Sequence, residues 1–485
     1  MLTTPDHSDA VTSVPAMAPV GPNPEGFYLD CDPATGRAGT VYRAEEFNEL
    51  ILNLRELLRA ASVAGTKGSA TMLRAALHRL YAGSGRVIAA TGTLTPDDAG
   101  LLVIDATTAN VTLTLPPAAA LPSGHTMVQC VRQDTAQTDV RLIPAAGDAI
   151  RGGIFYLDAK QWVILRSDGV ATWYVLSASA TILRSRTLQV APGGVAAPSD
   201  PLGGTPFNSL ASALDYLTPW RIAGGTVTIN VAAGTYNATV PINFTHVDGV
   251  NIRVVGAGAA TTILRFPGGS AAIFGGLNFG GVTGVTFEGD QTGTAIIGVD
   301  VARGSTTLTN VVIQKFSGVG LQLRGQVQVF ISGTLTVQQN GAEGVFLFPS
   351  AYLTGATLAT AQNAGLANLY ALQGSIVLTT FTNDGGQRAL YLTGSAAFAQ
   401  ITTLTSHNAT VKAEAVRVLA GAVLQAVQSQ PNTWLVDTPG TSFDVFRAER
   451  YGAIFSESSM QSGNRSTTSP AINTLGNTQS YIMAI

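Results

Sequence analysis

Residues 335–341 read LTVQQNG, and three related segments follow at a fixed spacing. LATAQNA begins at Leu358, FTNDGGQ at Phe381 and LTSHNAT at Leu404, so each segment begins 23 residues after the previous one. One step of the same length back predicts that Val312 begins an earlier period. A fixed period of roughly 20–50 residues is typical of a solenoid, in which each repeat stacks on the next.

Each period contains three short apolar runs, which lie at 335–337, 345–348 and 352–353 in the period that begins at Leu335. Runs of this length suit strands better than helices. We therefore predict a right-handed parallel β-helix with three strands in each coil of 23 residues. Residues at equal offsets then stack roughly 4.8 Å apart, the distance between neighbouring strands. This predicts an inner column of four side chains: Leu335, Leu358, Phe381 and Leu404.

Amide side chains also recur at equal offsets, at the first turn of each period. Gln339 is repeated by Gln362, and Asn340 by Asn363. Stacked amides can hydrogen-bond along the axis of a stack of strands. We predict such hydrogen bonds at both positions.

Composition restricts the class of protein. The chain has 485 residues, of which 46% are hydrophobic and 12% charged, so it is long enough for several domains and rich in core-forming residues. The net charge of −3 gives no electrostatic reason to expect binding to nucleic acid or to an anionic membrane. The 53 glycines, with abundant Thr, Ala and Val, favour β-structure over helix.

The two cysteines, Cys31 and Cys130, allow one disulfide bridge or two isolated buried thiols. The first residues lack the basic and apolar segments of a signal peptide. No apolar stretch approaches the roughly 18 residues of a membrane span, so none is predicted.

The sequence before the solenoid divides into four segments. Residues 1–40 are rich in Pro, Gly, Asp and Thr and are predicted to form an extended arm that needs a partner to become ordered. Residues 41–84 are predicted to be helical, with one amphipathic helix near the start and a second over 70–81. Residues 85–182, which alternate apolar and polar positions, are predicted to form a small antiparallel β domain, and 183–206 a linker.

The helical segment has two interpretations. The first helix has an apolar stripe with a 3-4-3 spacing, formed by Phe47, Leu50, Leu54 and Leu57. The two helices could form a hairpin with its own core, or a short trimeric bundle around a symmetry axis. Both alternatives remain open from the sequence.

The rest of the chain is assigned to the solenoid and its end. Residues 207–430 are predicted to form the parallel β-helix, with a capping helix at its N-terminal end. Residues 431–485 break the period and are predicted to form a C-terminal cap or tip. The predicted fold class is therefore mainly β, and a charge-poor chain of this kind gains stability by burying one flank, which favours a homotrimer.

Two segments resemble a known family. The first contains TLTLP in 112–116, GDAIRG in 147–152 and a closing SDG followed by a tryptophan, and it resembles a β-module of bacteriophage tail fibres and spikes. The second contains GGTVTINVAAGTYN in 224–237 and is similar to the first coil of pectate-lyase-like β-helices found in tailspikes. The resemblance covers roughly residues 100–430 and implies a homotrimer with an N-terminal virion anchor and a distal receptor-binding end.

Glycoside hydrolysis needs two carboxyl groups about 5–10 Å apart, so carboxylates that are close in the sequence are candidates for an acid pair. Glu288 and Asp290 are either such a pair or, in the preferred interpretation, a solvent-exposed turn. Asp384 and His407 share an offset in adjacent periods and form either an acid–base pair or, in the preferred interpretation, a surface salt bridge. We therefore predict no catalytic residue, and the histidine spacing predicts no metal site or cofactor.

Aromatic residues suggest two possible contact surfaces. Tyr352, Tyr370 and Tyr391 recur in successive periods and could bind sugar faces or pack partly in the core. In the tip, Trp434, Tyr451 and Phe455 are candidate receptor contacts, and capping of the last coil is their alternative role.

The favoured hypothesis is a structural component of a phage tail fibre or tailspike, located in the virion and synthesised in the host cytoplasm. Its expected partners are two further copies of itself, a tail or baseplate protein bound through residues 1–84, and a glycan or protein of the host surface. The alternative is a tailspike depolymerase, a hydrolase or lyase that degrades host polysaccharide. The few carboxylates of the regular coils favour the non-enzymatic hypothesis. A secreted pectate-lyase-like enzyme is disfavoured because the chain shows no signal peptide.

Overall fold

The structure of the chain is a computed structural model. It describes residues 44–60, 72–73, 86–98, 100–121, 127–151, 155–179, 181–238, 241–267, 272–274, 278–292, 297–385, 388–407, 416–426, 434–437, 446–449, 451, 453–456, 461–462 and 481–484. These residues fall into two compact units. The first ends at Ala178 and the second begins at Ser179, except that residues 155–159 belong to the second unit.

The first unit contains one long helix and a set of short strands. The strands are β1 (Arg86–Ile88), β2 (Gly92–Thr93), β3 (Gly100–Ile104), β4 (Val111–Thr114), β5 (Met127–Arg132), β6 (Val140–Ile143), β7 (Ala149–Ile150), β9 (Trp162–Ser167) and β10 (Thr172–Ala178), while β8 (Phe155–Leu157) belongs to the second unit. The helix is α1 (Ala44–Ala60), and two short 3-10 helices cover Pro96–Asp98 and Ala118–Ala120. The arm over 1–40 and most of the second helix expected over 70–81 lie outside the described residues.

The prediction that 85–182 form an antiparallel β domain is wrong in strand direction. Strands β1, β3 and β5 run parallel in one sheet, and β2, β4 and β6 run parallel in another. Within the described part of this unit, antiparallel pairing joins β5 to β9 and β9 to β10. The alternation of apolar and polar residues indicates that one face of each strand is buried. It does not indicate the direction of the neighbouring strand.

The second unit is a parallel β-solenoid of about 12 turns. Among the described residues, seventeen strands form its larger sheet. They are β12 (Arg186–Val195), β14 (Val227–Val231), β15 (Gly234–Asn237), β17 (Ile252–Gly256), β18 (Thr262–Arg265), β20 (Gly281–Thr283), β21 (Thr286–Glu288), β23 (Gly304–Gln314), β25 (Val327–Gln338), β27 (Tyr352–Ala361), β29 (Ser375–Asp384), β31 (Phe398–His407), β33 (Val423–Ala426), β34 (Trp434–Asp437), β36 (Ala453–Ser456), β37 (Gln461–Ser462) and β38 (Tyr481–Ala484).

A smaller sheet of nine described strands forms another side of the solenoid. It consists of β16 (Ile242–Asn243), β19 (Ala272–Phe274), β22 (Val299–Val301), β24 (Leu321–Leu323), β26 (Val345–Leu347), β28 (Leu369–Leu372), β30 (Leu390–Thr393), β32 (Val416–Leu419) and β35 (Phe446–Glu449). A short parallel pair, β11 (Thr181–Ile182) with β13 (Arg221–Ile222), lies near the start of the unit.

The predicted inner column is confirmed. Leu335 pairs with Leu358, Leu358 with Phe381, and Phe381 with Leu404, each in register in the larger sheet. All four side chains have no exposed surface. Burying a side chain of this size contributes about 1.5–3 kcal/mol, so the column is a main source of stability in these rungs.

The extension of this column to Val312 is wrong by one residue. Val311 pairs with Leu335 and is fully buried, whereas Val312 pairs with Thr336. A register irregularity lies between Thr309 and Val311. Because side chains alternate between the two faces of a strand, a slip of one residue exchanges the inner and outer positions.

The predicted amide columns are present and hydrogen-bonded along the stack. Asn340 donates from Nδ2 to Oδ1 of Asn363 in the next coil at 2.8 Å. Asn363 in turn donates to Oδ1 of Asn368, which lies in its own coil, at 2.6 Å. Gln339 donates to Oε1 of Gln362 at the longer distance of 3.5 Å. The three asparagines are buried, so these bonds satisfy polar groups that would otherwise be costly to remove from water.

The solenoid begins earlier than the sequence indicated. Residues 183–206 are not only a linker, because they contain β12, which pairs in parallel with β14. Leu188 and Val190 are buried in this strand, and the glycines and prolines that suggested a linker lie after them. A second helix, α2 (Leu210–Leu217), follows with Ser209 as its N-cap and packs against β12, β14 and β16, as expected of the capping helix.

Described strands beyond residue 430 belong to the same sheets as the regular coils. β34 pairs with β31, β35 with β32, and β36 with β33, all in parallel. β38 pairs with β36. These strands of 431–485 therefore continue the solenoid's two sheets, although the period of the sequence is lost there.

Candidate functional site

The three candidate receptor contacts lie on different segments. Trp434 begins β34, in register with Leu404, and Phe455 lies in β36, in register with Gln425. The side chains of Trp434 and Phe455 lie outside the described part of the structure. Tyr451 has 62% of its side chain exposed and a positive φ of 71°. No contact among the described residues joins the three positions into one site, and their role as receptor contacts stays a prediction.

The interpretation of Glu288 and Asp290 as an exposed turn is wrong for Glu288. Glu288 ends β21 and is 5% exposed. Its Oε1 accepts hydrogen bonds from Arg265, at 2.8 Å from Nε and 2.6 Å from Nη2. Its Oε2 accepts from Gln314 Nε2 at 2.7 Å and from Lys315 Nζ at 3.1 Å. Asp290 instead accepts from the backbone and hydroxyl of Thr292.

These contacts decide the charge of Glu288. Burial opposes ionisation of the carboxyl group, but the hydrogen bonds from Arg265, Lys315 and Gln314 outweigh it and lower the pKa below the ordinary value of 4.5. A general acid for glycoside cleavage needs a raised pKa, so that it holds a proton near neutral pH. Glu288 is therefore a carboxylate that stays charged at neutral pH within a polar network.

Asp384 and His407 are paired in register in neighbouring strands, as their shared offset predicted. The Asp384 side chain is exposed, and the His407 side chain lies outside the described residues. Whether the two groups form a salt bridge stays a prediction.

The three tyrosines considered for sugar binding do not share one surface. Tyr352 lies in β27 of the larger sheet, in register with Gln328 and Ser375. Tyr370 and Tyr391 lie in the smaller sheet and are paired with each other. The neighbour of Tyr370 on the other side is Phe346. We call Phe346, Tyr370 and Tyr391 the aromatic column.

The rings of the aromatic column stack on one another. The ring centroids of Phe346 and Tyr370 are 4.7 Å apart with an interplanar angle of 14°, and those of Tyr370 and Tyr391 are 4.8 Å apart at 27°. These distances equal the spacing of adjacent strands, which is about 4.7–4.9 Å. The ring faces are therefore turned toward each other along the solenoid, and the ring edges point away from the sheet.

Local sequence explains why these rings lie outside. Each central residue of VFL, LYA and LYL in 345–347, 369–371 and 390–392 lies between two buried side chains of one strand. Alternation then places the aromatic residue on the outer face, where all three rings are half-buried. This triplet pattern is a signal that the 23-residue period obscures, since the loops between these strands differ in length.

Two arginines lie close to the ring of Tyr391. The guanidinium carbons of Arg388 and Arg417 are 5.6 and 5.7 Å from the ring centroid of Tyr391. Arg417 is also the register partner of Tyr391, so it occupies the next rung of the same outer column. Arg388 donates from Nη1 to the carbonyl of Leu366 at 3.2 Å.

The opposite end of the same outer column is polar and buried. Gln322 pairs with Phe346 and Asp300 with Gln322, and they are 8% and 5% exposed. Arg324 donates to Asp300 through Nε at 2.9 Å and also through Nη2. The hydrogen bond to Asp300 and its charge raise the pKa of Arg324, which keeps the guanidinium ionised.

Tyr370 at the centre of the column is neutral. Burial raises the pKa of its hydroxyl, and the neighbouring Tyr391 and Glu343 raise it further. The column therefore presents phenol hydroxyls, which both donate and accept hydrogen bonds, next to two permanent cations. These phenol hydroxyls can bind sugar hydroxyls.

The described residues give little support for metal binding or for cysteine chemistry. Those residues contain no cluster of three or more His, Cys, Asp or Glu that could hold a metal ion. Cys130 is a buried free thiol whose pKa burial raises to about 12, which disfavours the reactive thiolate. No helix of the described segments has the length and apolar character required to traverse a bilayer.

In comparisons with known proteins, no family model, curated protein or solved structure matches this chain.

Proposed function

We propose that this chain is a structural component of a bacteriophage tail fibre or tailspike, which attaches to the tail and recognises the host cell surface. The observation that carries the proposal is the aromatic column, which lines an outer face of the solenoid with phenol edges and adjoining guanidinium groups. A polysaccharide is a repeating ligand, and a face that repeats with each strand offers it equivalent contacts on successive rungs. The resemblance of residues 100–430 to tail-fibre and tailspike modules supports the same function.

The proposed polarity follows the order of the segments. Residues 1–84 attach to a tail or baseplate protein, and the arm over 1–40 becomes ordered against that partner because it has too few apolar residues to fold alone. Residues 431–485 lie toward the host. The protein is made in the host cytoplasm and acts in the virion.

The proposed assembly is a homotrimer. In the single chain, Leu50 and Leu54 of α1 are 43% and 37% exposed, although they belong to a regular apolar stripe. Packing α1 against two further copies would remove this surface from water, a gain of about 25 cal/mol per Å². We also propose a right-handed coil of three strands. The register of Leu335 with Leu358 supports its 23-residue length, and the strong preference of parallel crossovers supports its hand.

Polysaccharide cleavage is the less supported alternative. Glu288 is held ionised by two cations, and Asp300 is bound to Arg324. Glu288 does not have the surroundings of a proton donor, which requires a raised pKa.

Binding to intact bacteria tests the proposal. Fluorescently labelled full-length protein is incubated with a panel of strains and with the surface polysaccharides extracted from them. We expect saturable binding to a subset of strains and loss of binding in a Tyr370→Ala, Tyr391→Ala double variant. Phe330→Ala is the matched control, because Phe330 is 47% exposed and lies in the larger sheet.

Several outcomes would contradict the proposal. Absence of binding to any strain, or equal binding by the double variant, would exclude recognition through the aromatic column. New reducing ends or unsaturated products in the extracted polysaccharide would establish the enzymatic alternative. A mass near 50 kDa by light scattering at micromolar concentration would exclude the trimer, because 50.0 kDa is the mass of one chain.

A further inference from the structure

We propose that one flank of the solenoid is the surface on which copies of this chain contact each other in the homotrimer. This inference rests on the proposed function and names the surface that a second copy covers. The flank consists of two outer register columns of the larger sheet, which run through β23, β25, β27, β29, β31 and β33. One column runs from Ser305 to Val423 and the other from Thr307 to Gln425. We call these twelve positions the uncharged face.

The side chains of the uncharged face lie on the outside of the sheet. In β25, Gln328 and Phe330 are exposed, whereas Val327, Val329 and Ile331 are buried. The other five strands show the same alternation, so each of them places two side chains of this face outward.

None of these twelve described positions is charged. Charged residues make up about 25–35% of the surface of a soluble protein, so about three would be expected among twelve. Other outer columns of the same solenoid do contain charge. One column of six positions contains Arg265, Glu288 and Asp384. The column of six that includes the aromatic column contains Asp300 and Arg417. The low charge content of the chain therefore does not by itself explain the uncharged face.

Large apolar side chains occur on four successive rungs of this face. They are Phe330 on β25, Tyr352 on β27, Val377 on β29 and Phe398 on β31. Phe330 has 47% of its surface exposed, and the other three are half-buried. Depletion of charged residues together with aromatic residues is typical of the centre of an interface between proteins.

Symmetry identifies the occupant as a second copy. A rotation axis of a homo-oligomer brings identical side chains of different copies close to each other. A column that contains Arg265 or Asp384 would therefore place like charges together if it lay along the axis. The uncharged face can lie there without burying an unpaired charge.

The shape and size of the face also favour a protein partner. Strands in register form a flat surface, whereas sites for small ligands are concave. Each outer side chain covers about 4.8 Å by 6.6 Å of the sheet, so twelve of them cover about 380 Å². This is about half of the 800 Å² that each partner contributes to a standard interface. The exposed Leu50 and Leu54 of α1 add apolar area to the same proposed assembly.

Labelling of single cysteines in the full-length protein tests the inference. Val377→Cys is a small change on the uncharged face, and Thr380→Cys is its matched control. Both positions are half-buried outer positions of β29, but Thr380 lies outside the face. Cys31 is replaced by serine in both variants, and Cys130 is buried. We expect a maleimide to modify Val377→Cys at least tenfold more slowly, because a second copy covers it. Equal rates would overturn the inference.

Charged variants measure the effect of the face on assembly. Thr354→Arg with Val377→Arg places cations on adjacent rungs of one column. Light scattering over a dilution series should show that half-dissociation of the trimer occurs at a concentration at least tenfold higher than for the parent. Thr357→Arg with Thr380→Arg, on the same two strands, should stay within twofold of the parent. Phe330→Ala leaves the face uncharged and should remain trimeric. An unchanged midpoint for the first double variant would overturn the inference.

Failure of this inference is distinguishable from failure of the proposed assembly. A parent protein with the mass of one chain, 50.0 kDa, would overturn the trimer and this inference together. A trimeric parent in which both cysteines react equally fast leaves the trimer standing and overturns the uncharged face as its contact. A double arginine variant that stays trimeric and loses binding to bacteria would overturn the inference by placing a saccharide on this face.

Discussion

The solenoid carries two outward-facing columns with the same stacking geometry and opposite chemistry. On the smaller sheet the aromatic column stacks rings at 4.7 and 4.8 Å. On the larger sheet Arg265, Glu288, Gln314 and Gln338 are register partners in that order, and we call them the polar ladder. Gln338 donates to Gln314 at 2.8 Å, Gln314 donates to Glu288, and Arg265 donates to Glu288.

The two columns differ in the partners of their hydrogen-bonding groups. In the polar ladder, both Glu288 oxygens accept bonds from neighbours in the stack, so the groups bind one another. In the aromatic column the ring faces satisfy each other by stacking, and the hydroxyls at the ring edges are directed outward. The polar ladder is therefore suited to stability and the aromatic column to recognition.

The largest effect is expected inside the solenoid, on which both outer columns depend. Leu358→Asp places a charge in the fully buried inner column, where no partner is available from its neighbours Leu335 and Phe381. We expect a loss of several kcal/mol in the free energy of unfolding, measured by chemical denaturation. Thr379→Asp, at an exposed position of β29, is the control and should change stability by less than about 0.5 kcal/mol. Equal stability of Leu358→Asp and the parent would show that the register is wrong.

The next effect concerns the polar ladder. Glu288→Ala removes the acceptor shared by Arg265, Gln314 and Lys315, and leaves these donors facing each other. We expect a loss of about 1–3 kcal/mol, the cost of unsatisfied polar groups that are only partly buried. Asp290→Ala, two residues away, removes local contacts with Thr292 and should cost less. A larger loss in Asp290→Ala would contradict the assignment of Glu288 as the centre of the ladder.

The same carboxylate predicts a dependence on pH. The pKa of Glu288 is lowered in the folded state, so its stabilising effect is present above its ordinary value of 4.5 and is lost as pH falls through the folded-state pKa. The difference in melting temperature between the parent and Glu288→Gln should therefore be full near pH 7 and shrink below pH 4.5. A difference that stays constant down to strongly acidic pH would mean that Glu288 is not the titrating group.

The sequence predicted the side-chain column whose positions repeat at a strict spacing. It missed the column whose spacing depends on the lengths of the loops. Leu335, Leu358, Phe381 and Leu404 were found because these strands keep one spacing and bury one type of side chain. The aromatic column was missed in part because Tyr352 lies on the other sheet and Phe346 replaces it. Loop lengths between the strands of the smaller sheet vary, so counting residues does not identify register partners there.

Two further differences between the prediction and the structure arise because the sequence does not show which strands become neighbours. Glu288 was assigned to an exposed turn because the sequence does not show that Arg265 and Lys315 converge on it from other rungs. The strand directions of the first unit were wrong because alternation describes a single strand and pairing is a property of two.

A smaller loss of stability is expected in the aromatic column. Tyr370→Ala removes the central ring, which stacks on both Phe346 and Tyr391. Stacked aromatic pairs contribute about 0.5–1.5 kcal/mol each beyond burial of their area, and half-exposed rings lie at the low end of that range. We expect a loss of about 1–2 kcal/mol in the free energy of unfolding by chemical denaturation, below that of Leu358→Asp.

The smallest effect on stability separates folding from recognition. Tyr370→Phe keeps the ring and its two stacking contacts and removes only the hydroxyl at the outer edge. Stability should remain within about 0.5 kcal/mol of the parent, because no buried partner is lost. Binding to bacteria should weaken by several-fold, because the proposed function places this hydroxyl against the ligand. If binding were unchanged while stability fell, the column would be a structural stack like the polar ladder, and the contrast between the two faces would disappear.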